Sequence, residues 1–173
     1  GDKLMGGPQA GIIVGKKELI ARIRRNPLMR ICRVDKLTYA ILAWMLTEYE
    51  KGTHLSSLPV YRMLFETPEQ VGARAAGLAE RLNSLGYRTR LTEGVSLVGG
   101  GSAPGETIPT TLLLVSSPEE SPSQLDRRLR QHSCPILARI EDNQLVLDLR
   151  TVLPGEEAEI VAALSGASSA LSV

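Results

Sequence analysis

Residues 67–86, TPEQVGARAAGLAERLNSLG, decide the architecture, because both ends of a helix are written into them. Thr67 can cap the first turn, and Pro68 suits the position after it. Gln70 stands three residues beyond the cap, where its side chain can reach back to the backbone. Gly86 closes the segment. Downstream, extended segments are expected at about 88–98 and 110–116, joined by the glycine-rich stretch GGGSAPGETIP. A helix follows from Ser121 to about His132. ILARIEDNQLVLDL then reads as a hairpin turning at Asp142 and Asn143. EEAEIVAALSG reads as a last helix with acidic residues in its first turn, where they complement the helix dipole. From Tyr87 onward the order is β-β-α-β-β-α, which predicts an α+β layer, an antiparallel sheet covered on one face.

Upstream of Thr67 the pattern changes. AGIIVG, residues 10–15, is a short β-branched run between glycines and reads as a buried strand. KKELIARIRRN places Leu19, Ile20 and Ile23 on one helical face and basic residues on the other, and Pro27 stops it. A longer helix is expected from about Val34 to Lys51, with Leu37, Ile41, Trp44, Met45 and Tyr49 at helical spacing and Gly52 as terminator. Trp44 and Met45 read as packing residues. GTHLSSLP, residues 52–59, reads as a loop or hinge, and His54 and His132 as exposed residues at loops or helix ends. The chain is accordingly divided at residue 52, with 1–52 ending one domain in a linking helix and 53–173 forming a small α+β domain.

Composition limits the function classes. The chain has 173 residues, 43% of them hydrophobic, which is ordinary for a packed core, whereas aromatics are only 3%, so aliphatic side chains must fill it. The longest apolar run, YAILAWML, falls well short of the ~20 residues a membrane span needs. Cys32 and Cys134 are far apart with no metal-ligand spacing around them, a pattern suited to reduced thiols in a cytoplasmic protein. Net charge is +1 but unevenly spread. Residues 1–36 hold nine Lys/Arg against three Asp/Glu, and residues 117–173 hold five against nine. The basic end favours anions such as phosphate or nucleic acid, or is simply a solvated helix face.

Three constellations could carry chemistry. Lys3 lies in GDKLMGGPQAGIIVG, and it is either a surface lysine near a frayed end or part of an active site. Gly6, Gly7 and Gly11 would let the backbone turn tightly beside a bulky group. Arg30 and Arg33 share a helical face if LMRICRVDK is helical, and two planar guanidiniums suit a tetrahedral oxyanion. Alternatively they are solvated or pair with Asp35. Lys36 is close enough to join an anion site but reads as solvated. The run VGGGSAPGETIP can present backbone N–H groups to an anion, yet it has no following helix and no Lys-Ser/Thr pair, so it is not a P-loop. It is equally a long hairpin connection with Ser102 in a turn.

GDKLMGGPQAGIIVG, NPLMRICRVDKLT and LVGGGSAPGETIPT together resemble the bacterial selenocysteine synthases, the L-seryl-tRNA(Sec) selenium transferases. These are pyridoxal 5′-phosphate enzymes of the aspartate-aminotransferase fold type. The resemblance implies that Lys3 carries the cofactor, with Gly6 and Gly7 beside it. It implies that Arg30 and Arg33 bind selenophosphate and that Ser102 lies near the substrate. It further implies a cytoplasmic homo-oligomer that converts seryl-tRNA(Sec) to selenocysteinyl-tRNA(Sec). The chain lacks an initiator Met and reads as a carboxy-terminal fragment, expected to be inactive alone. The rivals are a related pyridoxal phosphate lyase acting on a small sugar acid or amino acid, and a non-catalytic oligomerisation module.

Overall fold

The computed structural model describes residues 1–99 and 101–166. Gly100 of the glycine run and the Ser/Ala tail lie outside the described residues. The described chain forms two compact units, one of residues 1–64 with Gly101 and Ser102, the other of residues 65–99 and 103–166.

The second unit has the expected order. Helix α6 (Pro68–Ser84) begins with a complete capping box, in which Gln70 N–H donates to the Thr67 hydroxyl and the Gln70 side chain accepts from Thr67 N–H. Its buried residues Val71, Ala75, Leu78 and Leu82 recur at helical spacing, which gives one apolar face. Strands β1 (Arg88–Leu97) and β2 (Thr107–Ser116) pair antiparallel, with Leu91 opposite Leu113. Helix α7 (Pro122–Gln131) repeats the capping box at Ser121 and Gln124. Strands β3 (Arg139–Glu141) and β4 (Gln144–Asp148) form the hairpin, and Asp142 and Asn143 at its turn both take positive φ, as a two-residue primed turn requires. β4 pairs with β2, giving the sheet order β1-β2-β4-β3, and helix α8 (Glu157–Ser165) ends the unit.

The core lies on the helical side of this sheet. Leu113, Val115, Leu145 and Leu147 meet the α6 face together with Leu125, Leu129, Ile160 and Leu164. Each fully buried leucine contributes roughly 1.5–3 kcal/mol relative to exposure. The opposite face is not simply polar, since Leu112, Leu114 and Val146 form a second buried cluster there. The unbroken run TTLLLV supplies both faces at once, because successive strand side chains alternate.

A buried guanidinium closes one end of the sheet. Arg150, 2% exposed, donates to the carbonyls of Glu66 and Pro109, both at 2.6 Å, and to the Ser96 hydroxyl at 3.1 Å. Ser96 and Thr110 in turn donate to Asp148 at 2.5 and 3.0 Å. Arg74 ties Glu66 (3.0 Å) and Glu157 (2.5 Å) to the carbonyls of Leu149 and Val152.

The first unit is helical. α1 (Lys17–Arg25) and α3 (Lys36–Lys51) form where the periodicity places them. Asp35 caps α3 by accepting from Leu37 and Thr38 N–H, and Gly52 ends it in the left-handed conformation. The readings of residues 10–15, of residues 52–59, of the two histidines and of Trp44 are corrected here. Residues 10–15 are not a strand, because no strand among the described residues lies alongside to complete a ladder, and Ile13 and Val14 are exposed. Residues 52–59 are not a loop: α4 (His54–Ser57) and α5 (Pro59–Phe65) are helical, and Leu58 between them is buried with Leu42 and Met45. That packing carries the first compact unit past residue 52, to Leu64. His54 and His132 are half-buried, and Trp44 is half exposed although Met45 beside it is fully buried.

Candidate functional site

Lys3 opens a tight turn. Gly6 N–H donates to the Lys3 carbonyl at 2.9 Å, and Gly7 N–H to the Gly1 carbonyl at 2.8 Å. Gly6 has φ +72°, where side chains are strained, and a Cβ there would stand 2.4 Å from Val60. A Cβ on Gly7 would stand 2.5 Å from the Met45 sulfur. Both glycines therefore seat the turn on the Leu42–Met45–Leu58 cluster, a protein neighbour that the sequence reading did not foresee.

The Lys3 side chain is 60% exposed, and its ammonium donates to Asp2 at 2.9 Å. That hydrogen bond holds the Asp2 carboxyl below the usual carboxylate range. Gly101 lies against the same amine. A Cβ on Gly101 would stand 2.9 Å from Lys3 Cε and 3.2 Å from Nζ, so the bare backbone leaves the end of the lysine its room. Ser102 follows in the same turn, half-buried. The glycine-serine run, which sequence reasoning left between a connection and a substrate loop, thus reaches Lys3 through Gly101.

Arg30 and Arg33 are both exposed, but one helix does not carry them. α2 (Met29–Cys32) is a single turn, and Arg33 at its end has extended backbone, φ −68° and ψ 138°. The expected shared helical face is corrected, because the chain leaves the helix at Arg33 to reach Asp35. Asp35 is engaged in capping α3, and the hydrogen bond from Thr38 N–H holds its carboxyl low. Arg33 lines a cavity of about 430 Å³ with Gly11, Ile12, Ile13, Cys32 and Tyr39. Cys32 and Cys134 are free. No group of three or more His, Cys, Asp or Glu among the described residues could hold a metal ion.

Two further residues escaped the sequence reading. Asp2 has no signal beyond being next to Lys3. Tyr49 was read only as part of an apolar helix face, yet its hydroxyl donates to the Met5 carbonyl at 2.9 Å. Burial, and then the hydrogen bond with Tyr61, push that hydroxyl's pKa up to about 12.

Pyridoxal phosphate needs an amine that its aldehyde can reach and open space around it. The exposed Lys3 amine and the cradle that a Gly101 Cβ would fill meet that need. Within the first unit, the residues present fit covalent attachment of such a group at Lys3.

Comparison with known proteins gives the family. The family model for SelA, L-seryl-tRNA selenium transferase, matches residues 1–153. The curated L-seryl-tRNA(Sec) selenium transferase of Carboxydothermus hydrogenoformans is 43% identical over 158 residues, covering 90% of this chain and 34% of that protein. The protein of the same name from Alkaliphilus oremlandii is 44% identical over 164 residues, covering 93% and 35%. That of Geobacter metallireducens is 41% identical over 169 residues, covering 95% and 37%. The chain thus spans about a third of the length of these relatives. Among solved structures, a D-glucosaminate-6-phosphate ammonia-lyase has a similar fold, with a TM-score of 0.51 and 22% identity over 88% of this chain and 38% of the other. The mixed helical and antiparallel-sheet organisation of this chain is of the aspartate-aminotransferase-like fold type, as the sequence suggested. With a family model running from Gly1 through the hairpin to Leu153, the chain belongs to the L-seryl-tRNA selenium transferase family.

Proposed function

We propose that this chain is the carboxy-terminal part of an enzyme that converts seryl-tRNA(Sec) to selenocysteinyl-tRNA(Sec), with pyridoxal 5′-phosphate held on Lys3 and selenophosphate as selenium donor. The observation that carries the reading is the exposed Lys3 amine, seated on a fixed turn inside the span matched by the family model. Pyridoxal phosphate, when bound, supplies an electron-withdrawing ring that stabilises negative charge on the substrate Cα. Lys3 has two tasks in this reading. Its Nζ would hold the aldehyde of the cofactor, and as a free amine it would move the Cα proton. Asp2 holds the Lys3 ammonium at 2.9 Å and so fixes where that nitrogen waits. Arg30 and Arg33 bind the phosphate of selenophosphate as permanent charges reaching from two adjoining backbone segments. Gly6 and Gly7 keep the turn close-packed, and Gly101 and Ser102 flank the amine.

In this reading residues 1–52 end the cofactor-binding domain and its linking helix, and residues 53–173 form the small domain. The intact protein is a homo-oligomer. Its compartment is the cytoplasm, a reading that the two free cysteines support. No helix of the described residues is long and apolar enough to cross a membrane.

Borohydride reduction of the intact protein loaded with pyridoxal phosphate, followed by peptide mapping, tests the central residue. Label is expected on Lys3 and lost in Lys3→Ala. Label retained on another residue in Lys3→Ala overturns the reading.

A further inference from the structure

Two of the four tyrosines in this chain meet beneath the Lys3 turn. The Tyr49 hydroxyl, near the end of α3, donates to the Met5 carbonyl at 2.9 Å. It also lies 2.7 Å from the Tyr61 hydroxyl on α5. A phenol has one proton to give. Since Tyr49 gives its proton to Met5, the proton between the two phenols comes from Tyr61, and the relay runs from Tyr61 to Tyr49 to the backbone. The His54 ring, at the start of α4, stacks on Tyr49 with centroids 4.5 Å apart and planes 16° apart, and meets Tyr61 edge-on at 5.2 Å. Three helices thus fix one hydroxyl, and that hydroxyl holds the carbonyl between Lys3 and the left-handed Gly6. A Tyr49 hydroxyl with its pKa near 12 stays protonated across the physiological range and remains a donor.

We propose that Tyr49, backed by Tyr61 and His54, is a positioning residue that sets the Lys3 turn through the Met5 carbonyl and so fixes the approach of the Lys3 amine to its aldehyde partner. The inference rests on the reading of Lys3 as the cofactor lysine. It adds a residue 46 positions away in sequence that acts through the Met5 carbonyl.

Tyr49→Phe in the intact protein removes the donor and keeps the ring. The first measurement is cofactor-free hydrogen exchange over the peptide holding Gly6 and Gly7, whose N–H groups close the turn. Losing one buried hydrogen bond of this kind is expected to speed that exchange about 10-fold. Tyr61→Phe is expected to give a smaller increase, because the bond to Met5 survives, and it serves if Tyr49→Phe fails to fold. The second measurement is the pH midpoint of the visible absorbance of the lysine-bound cofactor. Tyr49→Phe is expected to shift it, whereas Leu129→Ala, a core truncation in the second unit, is expected to lower thermal stability and leave the midpoint in place. Unchanged exchange in Tyr49→Phe overturns the proposal, and so does an unchanged midpoint when wild type carries its label on Lys3. If wild type carries no label on Lys3, the functional reading falls instead, and the exchange measurement alone decides whether Tyr49 pins the turn.

Discussion

The two compact units are built from equally clear helix signals but are held together differently. In the second, α6, α7 and α8 close over one face of the sheet, and Leu82, Leu113, Leu125, Leu129 and Leu145 have no exposed surface. In the first, the described residues bury Leu42, Met45 and Leu58, while Val14, Leu28, Ile31, Leu37 and Tyr39 are all more than 60% exposed. α1 buries no residue at all, although its apolar and basic faces are well separated. Amphipathic spacing and caps are thus enough to define a helix, but they do not say whether its apolar face is covered within the same unit.

This contrast can be broken most sharply at Arg150. Replacing it with Ala removes the donor to the Ser96 hydroxyl and to two buried backbone carbonyls and leaves a void, and is expected to destabilise the second unit by about 3–5 kcal/mol. Urea unfolding followed by far-UV circular dichroism measures this, and a loss under about 1 kcal/mol would mean the network is no keystone. A paired truncation sharpens the comparison. Leu113→Ala, at the centre of the larger core, is expected to cost about 3–4 kcal/mol, and Met45→Ala, in the three-residue cluster, about 2 kcal/mol. Equal losses in the same unfolding experiment would show that the small cluster is packed as tightly as the large one.

The smallest expected effect concerns pH. Burial raises the Glu157 pKa, but backbone N–H donors and Arg74 outweigh it, and the net displacement is downward. A lowered folded value means that Glu157 stabilises fully above its unfolded value of about 4.3, and that this contribution disappears as pH falls through the folded value. The second unit is therefore expected to lose about 1 kcal/mol from this pair below pH ~4. Glu157→Gln is expected to flatten the acid limb of the stability profile, and an unchanged limb would remove the pair from the account.

Much of the second unit could be read from particular residues. The capping boxes at Thr67 and Ser121 and the Asp142–Asn143 turn are local devices, complete within four or five residues, and each forms as its sequence indicates. Arg150 and Arg74 could not be read this way. The partners of Arg150 at Ser96, Glu66 and Pro109, and the Arg74 partner Glu157, lie 41 to 84 residues away, so no window of sequence contains them. In the candidate site Lys3 could be singled out as a candidate because its motif is contiguous. Residues 10–15 were misread because strand formation needs a neighbouring ladder, which β-branched composition cannot supply. The single turn at Met29–Cys32 was overextended because the Asp35 cap, which starts a new helix, was not given its full weight.

The sequence by itself determined the family, the helix ends, the β-β-α-β-β-α order and the lysine on which the functional reading rests, because each is carried by residues close together along the chain. Tertiary structure alone decided that Gly6 and Gly7 pack on Val60 and Met45, that Gly101 lies against Lys3, and that a tyrosine on α3 holds the Lys3 turn. These are contacts between distant segments. They exist only once hydrophobic burial has brought α3, α4 and α5 under the first seven residues, and burial depends on the whole fold rather than on any one stretch of it.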